Sequence, residues 1–215
     1  MSNNEAIAKS TKNPKKANAN SYKIRKMTVT AILAAASTVL MFLSFNVPLM
    51  PGFIKMDFSE LPALIAAFTF GPVSGVAVCL VKNLINLFAT TSGGIGELSN
   101  FIMGCAFVIP AGLIYKHKKT KTSAFLGALL GTVLMTIISI FTNYYIVYPV
   151  YVGMFFSSMD DIVAMYSAIL PSIKNLWQAL IIFNSPFNFL KGMCSVLITL
   201  VIYKPLSPIL KGKKI

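Results

Sequence analysis

The sequence predicts an all-α membrane protein: six transmembrane helices in a compact bundle, with both termini in the cytoplasm. Three observations carry that expectation. The 215 residues are 56% hydrophobic and only 12% charged, whereas a soluble domain carries about 25% charged residues. Apolar runs long enough to cross ~30 Å of hydrocarbon, roughly 20 residues each, recur along the chain. The formal net charge of +13 is gathered beside those runs: at Lys9, Lys12, Lys15, Lys16, Lys23, Arg25 and Lys26, at Lys116-His117-Lys118-Lys119-Thr120-Lys121, and at Lys204, Lys211, Lys213 and Lys214. Basic clusters that abut spans mark the cytoplasmic face. Their position also argues against a nucleic-acid-binding tail.

Residues 1–27 are polar, basic and poor in aromatics, and they read as a disordered cytoplasmic tail. The apolar run from Thr28 is longer than a signal-peptide core and no small-residue cleavage site follows it, so it stays as the first span, about 28–45. Asn46, Pro48, Pro51 and Gly52 close that span. Within it Ala31 and Ala35 lie one turn apart on one face, where small side chains let another helix approach closely in lipid. That other helix belongs either to this chain or to a partner protein.

A loop over 46–57 leads to a stretch, 55–88, that opens on Lys55, Asp57 and Glu60 and then turns apolar. Gly71-Pro72 divides it, because proline lacks a backbone donor and disfavours helix at the residue before it. Two helices follow from this, an unusually short one and one of ordinary length, joined by a cytoplasmic turn. Gly93-Gly94-Ile95-Gly96 makes a flexible turn before a span of about 97–115. The basic loop 116–122, a span over 123–148, a mixed external segment over 149–185 and a last span over 186–203 complete the membrane domain. The N-terminus and loop 116–122 are both basic, so an even number of crossings separates them and the short helix counts as one. The expected layout is a tail over 1–27, a six-helix membrane domain over 28–205 and a basic cytoplasmic tail over 206–215. Loops 46–57 and 149–185 then share the outer face, with helical pieces in the second, and can cover a pocket from above.

Chemistry is sparse. No GxxxxGK[ST] loop is present, and Gly94-Ile95-Gly96 does not complete a GxGxxG because Ser99 holds its last position. His117 stands alone in a basic loop. Cys79, Cys105 and Cys194 lie singly in apolar runs without metal-type spacing, as buried inert thiols do. Of six acids, Asp57, Glu60, Glu97, Asp160 and Asp161 belong to the membrane domain, and the topology assigns all five to the external side. No facing carboxylates or Ser/His pair fall within the spans, so the chain is read as neither an enzyme nor an ATPase, with no cofactor and no metal.

Polar groups inside hydrocarbon remain. A lysine at a span's centre costs ~2.5–3.5 kcal/mol on insertion scales, and such groups usually face a bundle interior or cavity. Lys191 sits in Pro186-Phe187-Asn188-Phe189-Leu190-Lys191-Gly192, three residues after Asn188 and on the same helix face. Asn143 reaches a similar outer depth from the fifth span, and Phe141, Tyr144, Tyr145, Phe187 and Phe189 surround the level. Either these groups line an aromatic pocket of the kind a flat heterocycle requires, or they bond between helices or snorkel outward. Lys82 lies near the middle of the third span with Asn83 and Asn86 and no acid at its depth. It either bonds carbonyls freed at a helix break or faces a partner.

Over about residues 28–205 the chain resembles the substrate-binding (S) components of energy-coupling factor (ECF) transporters, most specifically the riboflavin-binding type. The resemblance rests on KMDFSELPALIAAFTFGP, VKNLIN, GELSNFIMG and PFNFLKG, with Ala31 and Ala35 matching the AxxxA pattern of the first helix. It implies six helices, cytoplasmic termini, and a pocket near the outer face of a bacterial plasma membrane for riboflavin, its phosphate FMN or another heterocyclic vitamin. It further implies coupling through the first helices to a membrane scaffold (T) subunit and two cytoplasmic ATPases. Asn188 and Lys191, Asn143 and the loop 46–55 take the positions of the family's flavin contacts; Phe187, Asn100 and Asp57, from the same motifs or beside them, complete the candidate ligand set. Ala31 and Ala35 form the candidate partner interface. The competing reading is a membrane enzyme or biogenesis factor that uses the buried polar residues.

Overall fold

The computed structural model describes residues 14–211. The expected N-terminal tail up to residue 13 and the C-terminal tail from residue 212 lie outside the described residues. The chain runs through α1 (Pro14–Phe42), a two-residue ladder of β1 (Phe45–Asn46) with β2 (Lys55–Met56), α2 (Glu60–Phe70), α3 (Pro72–Asn86) and α4 (Ile95–His117). It continues through α5 (Lys121–Thr142), a π turn (Asn143–Val147), α6 (Tyr148–Met154), α7 (Met159–Ser167), α8 (Leu176–Ala179), a second π turn (Leu180–Asn184) and α9 (Ser185–Lys211).

Among the described residues, five helices are long and apolar enough to cross a membrane: Ala19–Phe42, Pro72–Ala89, Ile95–His117, Lys121–Met154 and Leu176–Leu210. The sixth, α2, has 11 residues, about 16 Å at 1.5 Å per residue, or roughly half the hydrocarbon core. Ala63, Leu64, Ile65, Ala66, Ala67 and Phe68 of α2 are all buried. A helix apolar all round suits that position, in contact with α1, α3, α4 and α9.

Local chemistry sets the boundaries. Gly71 takes φ +96°, a conformation open to glycine, and Pro72 starts α3 at a position where its missing N–H costs nothing. Thr120 caps α5 by accepting from the Ser123 amide, and Ser158 with Asp161 forms a capping box on α7. Small residues let the long helices meet. A Cβ on Gly112 would lie 3.0 Å from Pro72, and one on Gly131 would collide with the Phe107 carbonyl oxygen.

Several boundaries differ from the sequence reading. α1 begins at Pro14 rather than near residue 28, so residues 14–27 continue the first helix. The span expected over 123–148 runs on through its π turn to Met154. The last helix starts at Leu176, inside the expected external segment, because Asn175 caps it by accepting from the Gln178 amide. It then runs to Lys211, across the expected start of the C-terminal tail.

The two ends of the bundle differ in chemistry. At one end Tyr22 meets Phe70, and Phe68, Tyr115 and Tyr203 form an aromatic cluster beside the basic 116–121 loop and Lys204. At the other end the β1–β2 ladder, the 3₁₀ turn Leu87–Ala89, both π turns and α6–α8 gather over a second buried cluster built on Tyr148, Tyr151, Ile162, Tyr166 and Leu180.

Candidate functional site

A cavity of about 640 Å³ opens at the end without the basic loop. It lies against the second cluster through Val147, Tyr148 and Tyr151, and against the bundle core through Met103. Asn188, Lys191, Asn143, Phe187, Asn100 and Asp57 all line it, so four separate segments of the chain bring the six candidate ligand residues to one wall system.

Beneath the cavity lies a buried ion cluster. The Lys191 ammonium is 2.8 Å from Asp57 Oδ2 and 3.3 Å from Glu60 Oε2. Lys82, fully buried, pairs with Glu60 Oε1 at 2.9 Å and donates to Ser59 Oγ. Ser59 in turn donates through its amide and hydroxyl to Asp57 Oδ1, and Ser37 of α1 donates to the Ser59 carbonyl. Two ammonium groups thus balance two carboxylates, which is what makes burial of four charges tolerable. Burial alone would raise the Asp57 pKa, but the charges of Lys191 and Lys82 and the hydrogen bonds from Lys191 and Ser59 outweigh it. The carboxyl is held well below the ordinary carboxylate range.

This cluster corrects one expectation. Lys82 does have an acid at its depth, and it neither bonds freed carbonyls nor needs a partner protein to neutralise it. Asp57, Glu60 and Glu97, which the sequence reading places on the external side, are all buried. Glu97 accepts from Asn86 (2.8 Å), Thr90 (2.9 Å) and Ser92 (2.9 Å), and so ties the 87–96 turn to the cavity rim. The signal for the Lys82–Glu60 pair was present: the two residues stand equally far before and after Gly71, which puts them at one depth in an antiparallel helix pair.

Hydrogen-bonding capacity remains on the cavity wall. Asn188 donates to Ser139 Oγ (3.0 Å) and to the Asn184 carbonyl (2.9 Å), which leaves its Oδ1 as an acceptor. Buried Asn100 Oδ1 has no partner among the described residues. Of three Lys191 N–H donors, two serve Asp57 and Glu60 and one is left over.

The aromatic surroundings differ from the expected set. Phe187 faces the cavity, whereas Tyr144 stacks on Trp177 at 4.4 Å, and Phe141, Tyr145 and Phe189 are exposed on the outside. Beside Phe187, the cavity aromatics are Phe42, Phe53, Tyr148, Tyr151, Phe155 and Phe156. Phe53 lies edge-on to Tyr148, Tyr151, Phe156 and Tyr166, with ring centres 5.9–6.2 Å apart. A hydrogen-bond triangle fixes two of these rings: Tyr148 and Tyr166 hydroxyls at 2.6 Å, Tyr166 to Asn184 Oδ1 at 2.8 Å, and Asn184 Nδ2 to Tyr148 at 3.0 Å. Asn143 and Asn184 both lie in π turns, the irregularity that often aims side chains at functional sites.

Ala31 and Ala35 are both exposed on the outer face of α1, while Ala34, Ser37 and Thr38 turn inward. Among the described residues the small-residue face is therefore left uncovered.

Comparisons with known proteins agree with this architecture. The family described as "ECF transporter, substrate-specific component" matches residues 25–203. The chain is 34% identical over 188 residues to the riboflavin transporter RibU of Staphylococcus aureus, covering 87% of this chain and 93% of that one. It is 31% identical over 189 residues to the riboflavin transporter FmnP of Bacillus subtilis, covering 86% and 94%. A solved S component of a bacterial ECF transporter superposes with a TM-score of 0.69 at 32% identity, over 88% of this chain and 99% of that one. The match runs from the start of the first span to the end of the last, and on that ground the chain belongs to the substrate-specific components of ECF transporters.

Proposed function

We propose that this chain binds riboflavin, or its phosphate FMN, in the 640 Å³ cavity and delivers it across a bacterial plasma membrane when coupled to an ECF module. The observation that carries this reading is the convergence of Asn100, Asn143, Asn188 and Lys191, with aromatic rings, on one cavity beside a buried ion cluster. Relatives named riboflavin transporters support the choice of ligand. They are transporter components, and the chain is likewise no enzyme. The flavin ring presents two carbonyl acceptors flanking one N–H donor. The spare Lys191 donor suits a carbonyl, and the free Oδ1 atoms of Asn188 and Asn100 suit the ring N–H or the hydroxyls of the ribityl chain.

Six crossings with both termini cytoplasmic complete the reading, with α2 and α3 as a paired re-entry through the bundle and the cavity at the outer face. The scaffold (T) subunit meets the Ala31–Ala35 face, and the two ATPases supply the energy from the cytoplasm. In detergent the purified protein titrated with riboflavin should quench flavin fluorescence to saturation at about one flavin per chain, without ATP. Well-folded protein that leaves the fluorescence unchanged, yet binds a non-flavin vitamin tightly, overturns the assignment.

A further inference from the structure

The end of the bundle opposite the vitamin cavity holds a second cavity, of about 360 Å³, between the start of α5 and the last turns of α9. Lys119, Lys121 and Lys204 line it, and all three are exposed. Among the described residues no carboxylate lines it and none lies within ion-pair distance of these lysines. Three like charges on one concave wall repel one another, and an anion seated among them relieves that repulsion.

The wall changes character with depth. One turn into each span from Lys121 and Lys204 come Ala124 and Leu200, both of which line the cavity. On the same side of α9 as Lys204, Leu197 and Val201 are exposed. Cations at the helix ends above an apolar flank match a molecule with an anionic head and hydrocarbon chains. A soluble phosphate has no use for the apolar flank, and an acidic protein segment has none for the span-deep part of it. We propose that this cavity holds the phosphodiester headgroup of an anionic membrane lipid, with the acyl chains lying along α9. Juxtamembrane lysines attract anionic leaflets in general; the cavity makes the attraction a site.

The test uses the full chain in neutral detergent micelles doped with phosphatidylglycerol or phosphatidylcholine, with bound lipid counted by native mass spectrometry. The unaltered chain should retain phosphatidylglycerol in preference. Lys119→Gln with Lys121→Gln and Lys204→Gln should lower that retention by about tenfold or more, from the loss of three near-surface cations. Lys116→Gln with Lys118→Gln, outside the cavity, should leave it unchanged. Riboflavin quenching, read separately at the far cavity, reports folding and is independent of the lipid result. Equal retention by the triple variant overturns the proposal, as does equal loss in the control pair. Displacement of the lipid by glycerol 3-phosphate at matched concentration would make this a soluble-anion site instead. Retained lipid with lost assembly onto the ATPase module would make it a protein contact. Should the triple variant fail to fold, the three single substitutions are measured, and unchanged retention in all three overturns the proposal.

Discussion

On the proposed reading Lys191 carries two duties that substitution can separate. Its ammonium sits between Asp57 and Glu60 and lines the 640 Å³ cavity. Insertion scales alone make Lys191→Met favourable, since a lysine in a span costs ~2.5–3.5 kcal/mol. The ion cluster reverses that expectation, because Lys82 alone would then face two buried carboxylates. Removing one partner of a buried pair costs about 3–5 kcal/mol, so Lys191→Met should lower the melting temperature of the ligand-free protein. Riboflavin affinity should fall about ten- to a hundredfold, matching a charge-assisted hydrogen bond of ~1.5–3 kcal/mol. Adding Asp57→Asn removes the stranded charge. The double variant should recover most of the lost melting temperature but not the affinity. Wild-type affinity in the double variant would show that Lys191 only neutralises Asp57.

At the scale of helices, α1 has an inner and an outer face with different work. Ser37 reaches the Ser59 carbonyl on the inner face, next to the ion cluster, while Ala31 and Ala35 stay exposed on the outer one. Ala31→Leu with Ala35→Leu should therefore reduce cellular uptake of labelled riboflavin by an order of magnitude or more, because a larger face holds a partner helix away. The purified variant should keep its affinity within about twofold. A comparable loss of affinity in purified protein would place the face in the binding unit instead. Elements of this kind were legible in the sequence wherever one residue type fixes the backbone: Gly71-Pro72 announces the α2–α3 turn, and PFNFLKG places Asn188 and Lys191 on one face. The π turns were not. A single extra residue per turn leaves no mark on an apolar run, so the rotation that turns Asn184 toward Tyr148 and Tyr166 had no sequence signal. Phe53 was legible only as part of the 46–55 loop, since only the fold carries that loop over the α6–α7 aromatics.

Across the whole molecule, charge and cavity lie at opposite ends, and that asymmetry sets a direction. Lysines concentrate at the end holding Tyr115, Tyr203 and the 116–121 loop, which the positive-inside rule assigns to the cytoplasm. On the proposed reading the cavity then opens outward, where an importer must meet its ligand, and the exposed tip of the 46–54 loop stands beside it. Leu49 at that tip is 77% exposed, and Lys118 is exposed in the basic loop. A direct check starts from a chain whose Cys79, Cys105 and Cys194 are replaced by alanine, with one new cysteine at position 49 or 118. A membrane-impermeant maleimide added to intact cells should label the chain carrying Leu49→Cys and spare the one carrying Lys118→Cys, which should react only after the membrane is opened. Saturating riboflavin should slow labelling at 49, because that loop also supplies Gly52, Phe53 and Ile54 to the cavity wall; it should leave 118 unaffected. Labelling of Lys118→Cys in intact cells would invert the bundle and place the cavity on the cytoplasmic side. Capture of the vitamin from outside could not then precede coupling to the ATPases, and the charge-based topology would fail with it.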